Sequence, residues 1–313
     1  MFGGGTDHPK WFNQNSGSVV SFSIDKYSYI TIRELPPFFS HKFRVAYSKV
    51  ETTDSAEQIL HPAVREAFIK YARGLKLELH HHGDLPAKSG VGSSSAFAVG
   101  LIKSLYAING EDIDSYTLAE EAIIFEQKDL LENVGSQDQI ACALGGINHI
   151  EFTSNNRWKV NKINLDGEYI KDIESRIVLI YSGIPRFSSD ISKGLLDKLE
   201  TKSQLMNRTK DLANEFNKLL MEGGDLSLVS EMLKESWSIK RDLNPFSITL
   251  ELDNFYQSAL LKGARAGKVL GAGGGGFFLF WVDPENRASF IKKMAPFVYV
   301  PISISFEGST RIL

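Results

Sequence analysis

Three runs of glycine with small hydroxyl residues are the parts of this chain that could do chemistry. The first run, Pro86-Ala87-Lys88-Ser89-Gly90-Val91-Gly92-Ser93-Ser94-Ser95-Ala96, leads directly into an apolar segment, Ser93 to Asn109, that reads as a buried helix. Backbone N–H groups at a helix N-terminus lack partners and lie at the positive end of the macrodipole. Glycines let that backbone come close to an anion, and hydroxyls reach phosphate oxygens or a metal, which is what a phosphate cradle requires. One hydroxyl satisfies a helix cap, so three consecutive serines exceed what capping needs.

The other two runs are Gly271-Ala272-Gly273-Gly274-Gly275-Gly276 and Gly3-Gly4-Gly5-Thr6-Asp7-His8-Pro9. The pattern G-x-x-x-x-G-K-[ST] does not occur. A literal G-x-G-x-x-G spans 271–276, but it precedes the strand-like Phe277 to Val282 and not a helix, so it does not read as a dinucleotide fingerprint. Close packing against a nucleotide or against the first run accounts better for five glycines in six residues. Taken singly, each run is also explained by turn chemistry, because glycine supplies φ > 0 wherever a loop needs it.

Together the three runs resemble the motifs of the GHMP kinases, the superfamily of galactokinase, homoserine kinase, mevalonate kinase and phosphomevalonate kinase. Pro86 to Ala96 resembles the P-x-x-x-G-[LI]-G-S-S-[AS]-A phosphate loop, with Val91 where leucine is commoner. Lys268 to Gly276 resembles the motif K-x-x-G-A-G-G-G-G. Gly3 to Pro9 is similar to the G-G-G-T-D-[YH]-P pattern of kinases acting on D-glycero-D-manno-heptose 7-phosphate, and Arg186 fits their pattern after a mid-chain strand.

The resemblance implies an ATP- and Mg²⁺-dependent kinase that phosphorylates a sugar phosphate, at the anomeric hydroxyl. It implies Asp138 as the catalytic base and Glu126 with Ser94 as metal ligands. Lys88, Gly90, Gly92, Ser93, Ser94, Ser95, Gly271, Gly273 and Gly274 would hold the nucleotide. Gly5, Thr6, Asp7, His8, Arg186 and Gly275 would hold the sugar phosphate, with Lys10 a second candidate for its phosphate. Without the resemblance, Glu126 reads as a solvated helix residue and Asp138 as a carboxylate favoured at a helix N-terminus. Lys88 and His8 read equally as solvated loop residues. Another sugar kinase, such as a fucokinase, or a weakly catalytic paralogue that binds sugar or nucleotide, are the alternatives. In the family a strand carrying an Arg precedes the first glycine run. The sequence here begins Met1-Phe2, which leads one to expect an unpaired sheet position and one less charge near the reacting phosphate.

The elements that must position these residues are short strands and helices without regular βαβ alternation, an α+β class. Ser18 to Ile24 and Tyr27 to Arg33 flank Asp25-Lys26 in a hairpin-like pattern, and Leu75 to His80 alternates like a half-buried strand. A helix is expected over 112–131, a small-residue helix up to Leu144, and strands at 147–152, 158–163, 176–181, 277–282 and 298–306. Residues 191–222 and 226–240 are charged, helical and poor in glycine. That change of texture puts a domain boundary near residue 172. The resemblance assigns 1–172 to an N-terminal domain like the second domain of ribosomal protein S5, and 173–313 to a ferredoxin-like domain, with the active site between them.

The 313 residues are 42% hydrophobic and 23% charged, ordinary for a globular protein, and suffice for a sizeable core. A net charge of −3 argues against a general nucleic-acid binder. The single cysteine, Cys142, sits among small apolar residues and reads as a buried hydrophobe. No basic-then-apolar leader and no uncharged apolar run of about 20 residues occurs, so a cytoplasmic protein, monomer or homodimer, is expected. His80-His81-His82 at a strand end send alternate side chains to opposite faces and read as polar residues, not as metal ligands.

Overall fold

The computed structural model describes residues 1–87, 89–184, 202–245 and 248–312. The elements in chain order begin with helix α1 (Pro9–Asn15) and strands β1 (Gly17–Phe22), β2 (Ser28–Glu34), β3 (Phe43–Ala46) and β4 (Val50–Thr53). Helix α2 (Pro62–Tyr71), strand β5 (Leu77–Gly83), and helices α3 (Ser93–Ile108), α4 (Ser115–Ile124) and α5 (Gln137–Leu144) follow. Next come β6 (Ile147–Thr153), β7 (Arg157–Lys162), α6 (Gly167–Arg176) and β8 (Ile177–Tyr181). The described part of the second half holds helices α7 (Ser203–Met221), α8 (Val229–Leu243) and α9 (Leu250–Lys262), strands β9 (Ala264–Val269) and β10 (Phe277–Val282), helix α10 (Pro284–Lys293) and strand β11 (Val298–Val300).

The first half carries two sheets, one ordered β2-β5-β3-β4 and one antiparallel and ordered β1-β6-β7. Helix α3 packs against β2, α4 and α5. Gly100 lets α3 come close to the sheet, since a Cβ there would lie 3.2 Å from Ile30 Cδ1. The expected pairing of the two N-terminal strands does not form. β1 pairs with β6 and β2 with β5, because the apolar faces of the two strands belong to different sheets. The link between them is held elsewhere, with Ile24 bridging Ile304 and the Asp25 N–H donating to the Ser303 carbonyl. On the free edge of β1, Phe2 exchanges two hydrogen bonds with Val20, at 3.2 and 3.1 Å.

The second half is a four-stranded antiparallel sheet ordered β11-β8-β10-β9. Numbered within this half the order is 4-1-3-2, the ferredoxin-like arrangement. β10 is central, and all six residues of Phe277-Phe278-Leu279-Phe280-Trp281-Val282 are buried, which is why it reads as an unbroken apolar run. The final strand is shorter than expected, ending at Val300. Two cores result. One joins the first-half elements to Met206, Phe216 and Leu233 of α7 and α8. The other gathers Val178, Ile180, Trp237, Phe255, Phe278, Phe280 and Phe290.

Phe280 is fully buried, with the Phe278, Phe290 and Phe255 rings 5.6, 5.6 and 5.9 Å away. Phe280→Ala is therefore expected to cost about 3–5 kcal/mol in urea unfolding. A loss under about 1 kcal/mol would mean that this core is not packed as described.

Candidate active site

The Gly3–Pro9 run does more than turn. The Thr6 hydroxyl donates to the carbonyls of Gly3 (2.7 Å) and Ser18 (3.0 Å) and accepts from the Ser18 N–H (3.1 Å), fixing the turn on β1. Thr6 is fully buried, so its side chain shapes the turn and presents nothing to solvent. The turn projects Asp7 onto the N-terminus of α5. Asp7 Oδ1 accepts the Gly5 N–H at 2.8 Å and Oδ2 accepts the Gln137 N–H at 3.1 Å, while its main-chain carbonyl accepts the Ser136 N–H at 3.1 Å. Each carboxylate oxygen keeps a lone pair for a further donor. His8 caps α1, its Nδ1 accepting the Lys10 N–H, so that Nε2 donates to Asn133 Oδ1 at 3.1 Å. Burial lowers its pKa and keeps it neutral. Lys10 is exposed on α1.

Asp138 sits in the first turn of α5, where the dipole favours a carboxylate. It faces the start of α3. A Cβ added to Gly92 would lie 3.5 Å from Asp138 Cγ. Gly92 is the N-cap of α3 in the left-handed region, φ 73°, and no side chain caps the helix. The first helical bond of α3 is Ala96 N–H to Gly92 carbonyl, so the N–H groups of Ser93, Ser94 and Ser95 have no acceptor within the helix. Asp7, Asp138 and this open helix end are thus assembled around the N-terminus of α5.

The Gly271–Gly276 run closes over the loop that leads into α3. Phe277 N–H donates to the Ser89 carbonyl at 3.1 Å, and a Cβ on Gly276 would land on that carbonyl. A Cβ on Gly90 would in turn collide with the Leu270 carbonyl. Gly271, Gly273, Gly274 and Gly275 all have positive φ, between 65° and 145°, so the run needs glycine to fold this way. Packing against the first run, one of the two explanations open from sequence, is therefore what the structure contains. Lys240 on α8 holds the end of β9, donating to the Val269 and Gly271 carbonyls.

Glu126 lies in a widened, π-helical turn, Phe125–Asp129, that follows α4. It is 1% exposed, not a solvated helix residue. Its Oε2 accepts from Ser95 Oγ at 2.8 Å and from Gln139 Nε2. The hydroxyl beside Glu126 is therefore that of Ser95, while Ser94, one residue earlier, is exposed. Burial pushes the Glu126 pKa up to about 7, against the lowering effect of Ser95. Gln139 Oε1 is buried and has no hydrogen-bond partner among the described residues. A buried carboxylate, hydroxyl and unpaired amide oxygen form an oxygen-only set, which suits a hard divalent cation. Among the described residues no group of three His, Cys, Asp or Glu could hold a metal by itself.

Lys88 and Arg186 lie outside the described residues. Sequence reasoning placed Ser95 with the nucleotide and not beside Glu126, and it missed Gln139, Asn133, Lys240 and Gly135. Gly135 alone carried a usable signal, a glycine two residues before the helix that bears Asp138.

Two predictions follow from this geometry. A Cβ at Gly135 would overlap Asp7 Oδ2, so Gly135→Ala should displace the Asp7 carboxylate. The expected result is a sugar KM raised about tenfold or more with the ATP KM within about threefold, and an unchanged sugar KM would remove Asp7 from the sugar site. For Glu126 the folded pKa lies above the unfolded value, so its contribution is fully present below pH about 4.5 and is lost as pH rises through about 7. In EDTA, Glu126→Gln should therefore stabilise the protein more at pH 8 than at pH 5, by on the order of 3 kcal/mol in urea unfolding. An equal effect at both pH values would contradict the buried, proton-holding carboxylate.

Comparison with known proteins fits this arrangement. The GHMP kinases N terminal domain family matches residues 58–146, and the GHMP kinases C terminal family matches residues 215–300. The chain is 30% identical over 308 residues to D-glycero-alpha-D-manno-heptose 7-phosphate kinase of Campylobacter jejuni, covering 94% of this chain and 90% of that protein. It is 24% identical to the bifunctional fucokinase/GDP-fucose pyrophosphorylase of Arabidopsis thaliana, over 67% of this chain and 20% of that protein. Its fold is similar to the crystal structure of a D-glycero-D-manno-heptose 1-phosphate kinase from Bacteroides thetaiotaomicron. The TM-score there is 0.79 at 24% identity, covering 98% of this chain and 94% of that one.

Proposed function

The chain belongs to the GHMP kinase family, and from that premise we propose that it is a heptose phosphate kinase, transferring the ATP γ-phosphate to the anomeric hydroxyl of D-glycero-D-manno-heptose 7-phosphate. The observation that carries the heptose assignment is the 30% identity, across 94% of the chain, to a heptose 7-phosphate kinase. Residues 1–172 form the nucleotide-binding half in this reading and 173–313 the second half. A cytoplasmic monomer or homodimer acting on a small molecule completes it. Among the described residues, no helix is long and apolar enough to cross a membrane.

The open N-terminus of α3, with Gly90, Gly92 and Ser93 to Ser95, receives the phosphates, and the Gly271–Gly276 run keeps that loop in shape. Asp7 orients the sugar through its free lone pairs, and Gly5, Thr6 and His8 hold the turn that carries it. Asp138 accepts the proton of the attacking hydroxyl as its oxygen bonds to phosphorus and the bond from phosphorus to ADP breaks. Glu126, with Ser95 or Ser94 and Gln139, would hold Mg²⁺, which supplies charge neutralisation at the phosphates when bound. Lys88 and Arg186 remain candidates for phosphate contacts in the same reading.

Coupled ADP release with Mg-ATP, against heptose 7-phosphate, mannose, fucose, galactose, mevalonate and homoserine, tests the assignment. Turnover on heptose 7-phosphate is expected, and Asp138→Asn should lower it by about 10²–10⁴-fold while ATP binding persists. The partial match to a fucokinase makes fucose the second reading, and turnover on fucose alone would install it. Full activity of Asp138→Asn would remove that residue from the mechanism.

A further inference from the structure

Lys268 is the penultimate residue of β9, opposite Leu279 of β10. Its ammonium donates to the Met1 carbonyl at 3.0 Å and to Ser236 Oγ on α8 at 3.2 Å, and it lies 5.7 Å from the centre of the Phe2 ring. Among the described residues no carboxylate pairs with it, and burial lowers its pKa to about 8. A half-buried cation held, among the described residues, by a carbonyl, a hydroxyl and a ring but no carboxylate is a costly way to join two elements, and an apolar side chain of similar length would do so with less desolvation. Something other than stability therefore has to account for the ammonium.

Its anchors lie at the start of both halves of the site. The Met1 carbonyl is one residue from Phe2, whose two bonds to Val20 start the turn that carries Asp7. Lys268 itself is three residues before Gly271. The third anchor, Ser236, lies one helical turn from Lys240, which grips the Val269 and Gly271 carbonyls.

We infer that Lys268 is a positioning residue: its ammonium fixes the sugar-side turn relative to the Gly271–Gly276 run, and so fixes the distance between the sugar hydroxyl and the phosphate it attacks. The inference rests on the kinase reading above. Phosphoryl transfer is sensitive to such a distance, because a displacement of about 1 Å can cost about a hundredfold in rate.

The test compares Lys268→Met, Lys268→Arg and Ser236→Ala with the wild type in three measurements. These are thermal unfolding, binding of a non-hydrolysable ATP analogue, and ADP release. Lys268→Met should unfold at the wild-type temperature or above it and bind the analogue within about threefold, yet lose about 30- to 100-fold in kcat. Lys268→Arg should recover kcat to within about fivefold of wild type, and Ser236→Ala should lose a smaller factor in the same direction. A kcat for Lys268→Met within about threefold of wild type overturns the inference. So does a loss that tracks a lowered unfolding temperature and is not recovered by Arg. If Lys268→Met does not fold, Ser236→Ala decides alone, and full activity in that variant overturns the proposal. A wild type that turns over no sugar brings down the kinase reading and this inference together, whereas an active wild type with an equally active Lys268→Met brings down only the inference.

Discussion

One backbone hydrogen bond, from Phe277 N–H to the Ser89 carbonyl at 3.1 Å, joins two loops that have no regular structure of their own. Buried main-chain groups must be paired, and here each loop supplies the other's partner. The bond forms only because Gly90 and Gly276 lack Cβ atoms at the contact. It fixes the entry to α3 against the end of β9, and with it the open helix terminus that faces Asp138 across Gly92. At this seam the phosphate-loop side of the first half meets the sheet of the second half.

Around the seam the protein keeps polar groups that stability would not choose. Asp7 is buried at a helix N-terminus with two backbone donors. Glu126 is buried in a π-helical turn with its pKa near neutrality, beside an amide oxygen that has no partner among the described residues. Lys268 spans the junction as a half-buried ammonium with no carboxylate partner among the described residues. Perturbed and incompletely paired groups of this kind cluster where a ligand completes their interactions. The apolar framework of α3, β10 and the two cores bears that cost.

Much of this was legible in the chain itself. β10 coincides with its apolar run, because a central strand covered on both faces must be apolar at every position. α3 begins where the serines follow Gly92, and Asp138 falls in the first turn of α5, as the local signals implied. The glycine runs announced tight backbone contacts, and the family resemblance stated their order. What was misread depended on partners distant in sequence. The strands around Asp25-Lys26 looked like a hairpin because each carries a strand pattern and two polar residues separate them. Their real partners, β6 and β5, lie far along the chain.

The sequence by itself determined the glycine turns and the elements that carry the site, α3, α5 and β10, since those follow from side-chain periodicity and from residues that alone can adopt positive φ. The class of chemistry followed from the family resemblance that its three glycine runs carry jointly. Only the tertiary structure decided that Ser95 and not Ser94 meets Glu126, that Gly135 makes room for Asp7, and that Lys268 ties Met1 to α8. Those pairings depend on which faces of separate elements meet. Burial, which turned Glu126 from a surface carboxylate into a proton-holding one, is a property of the packed molecule and of no segment in it.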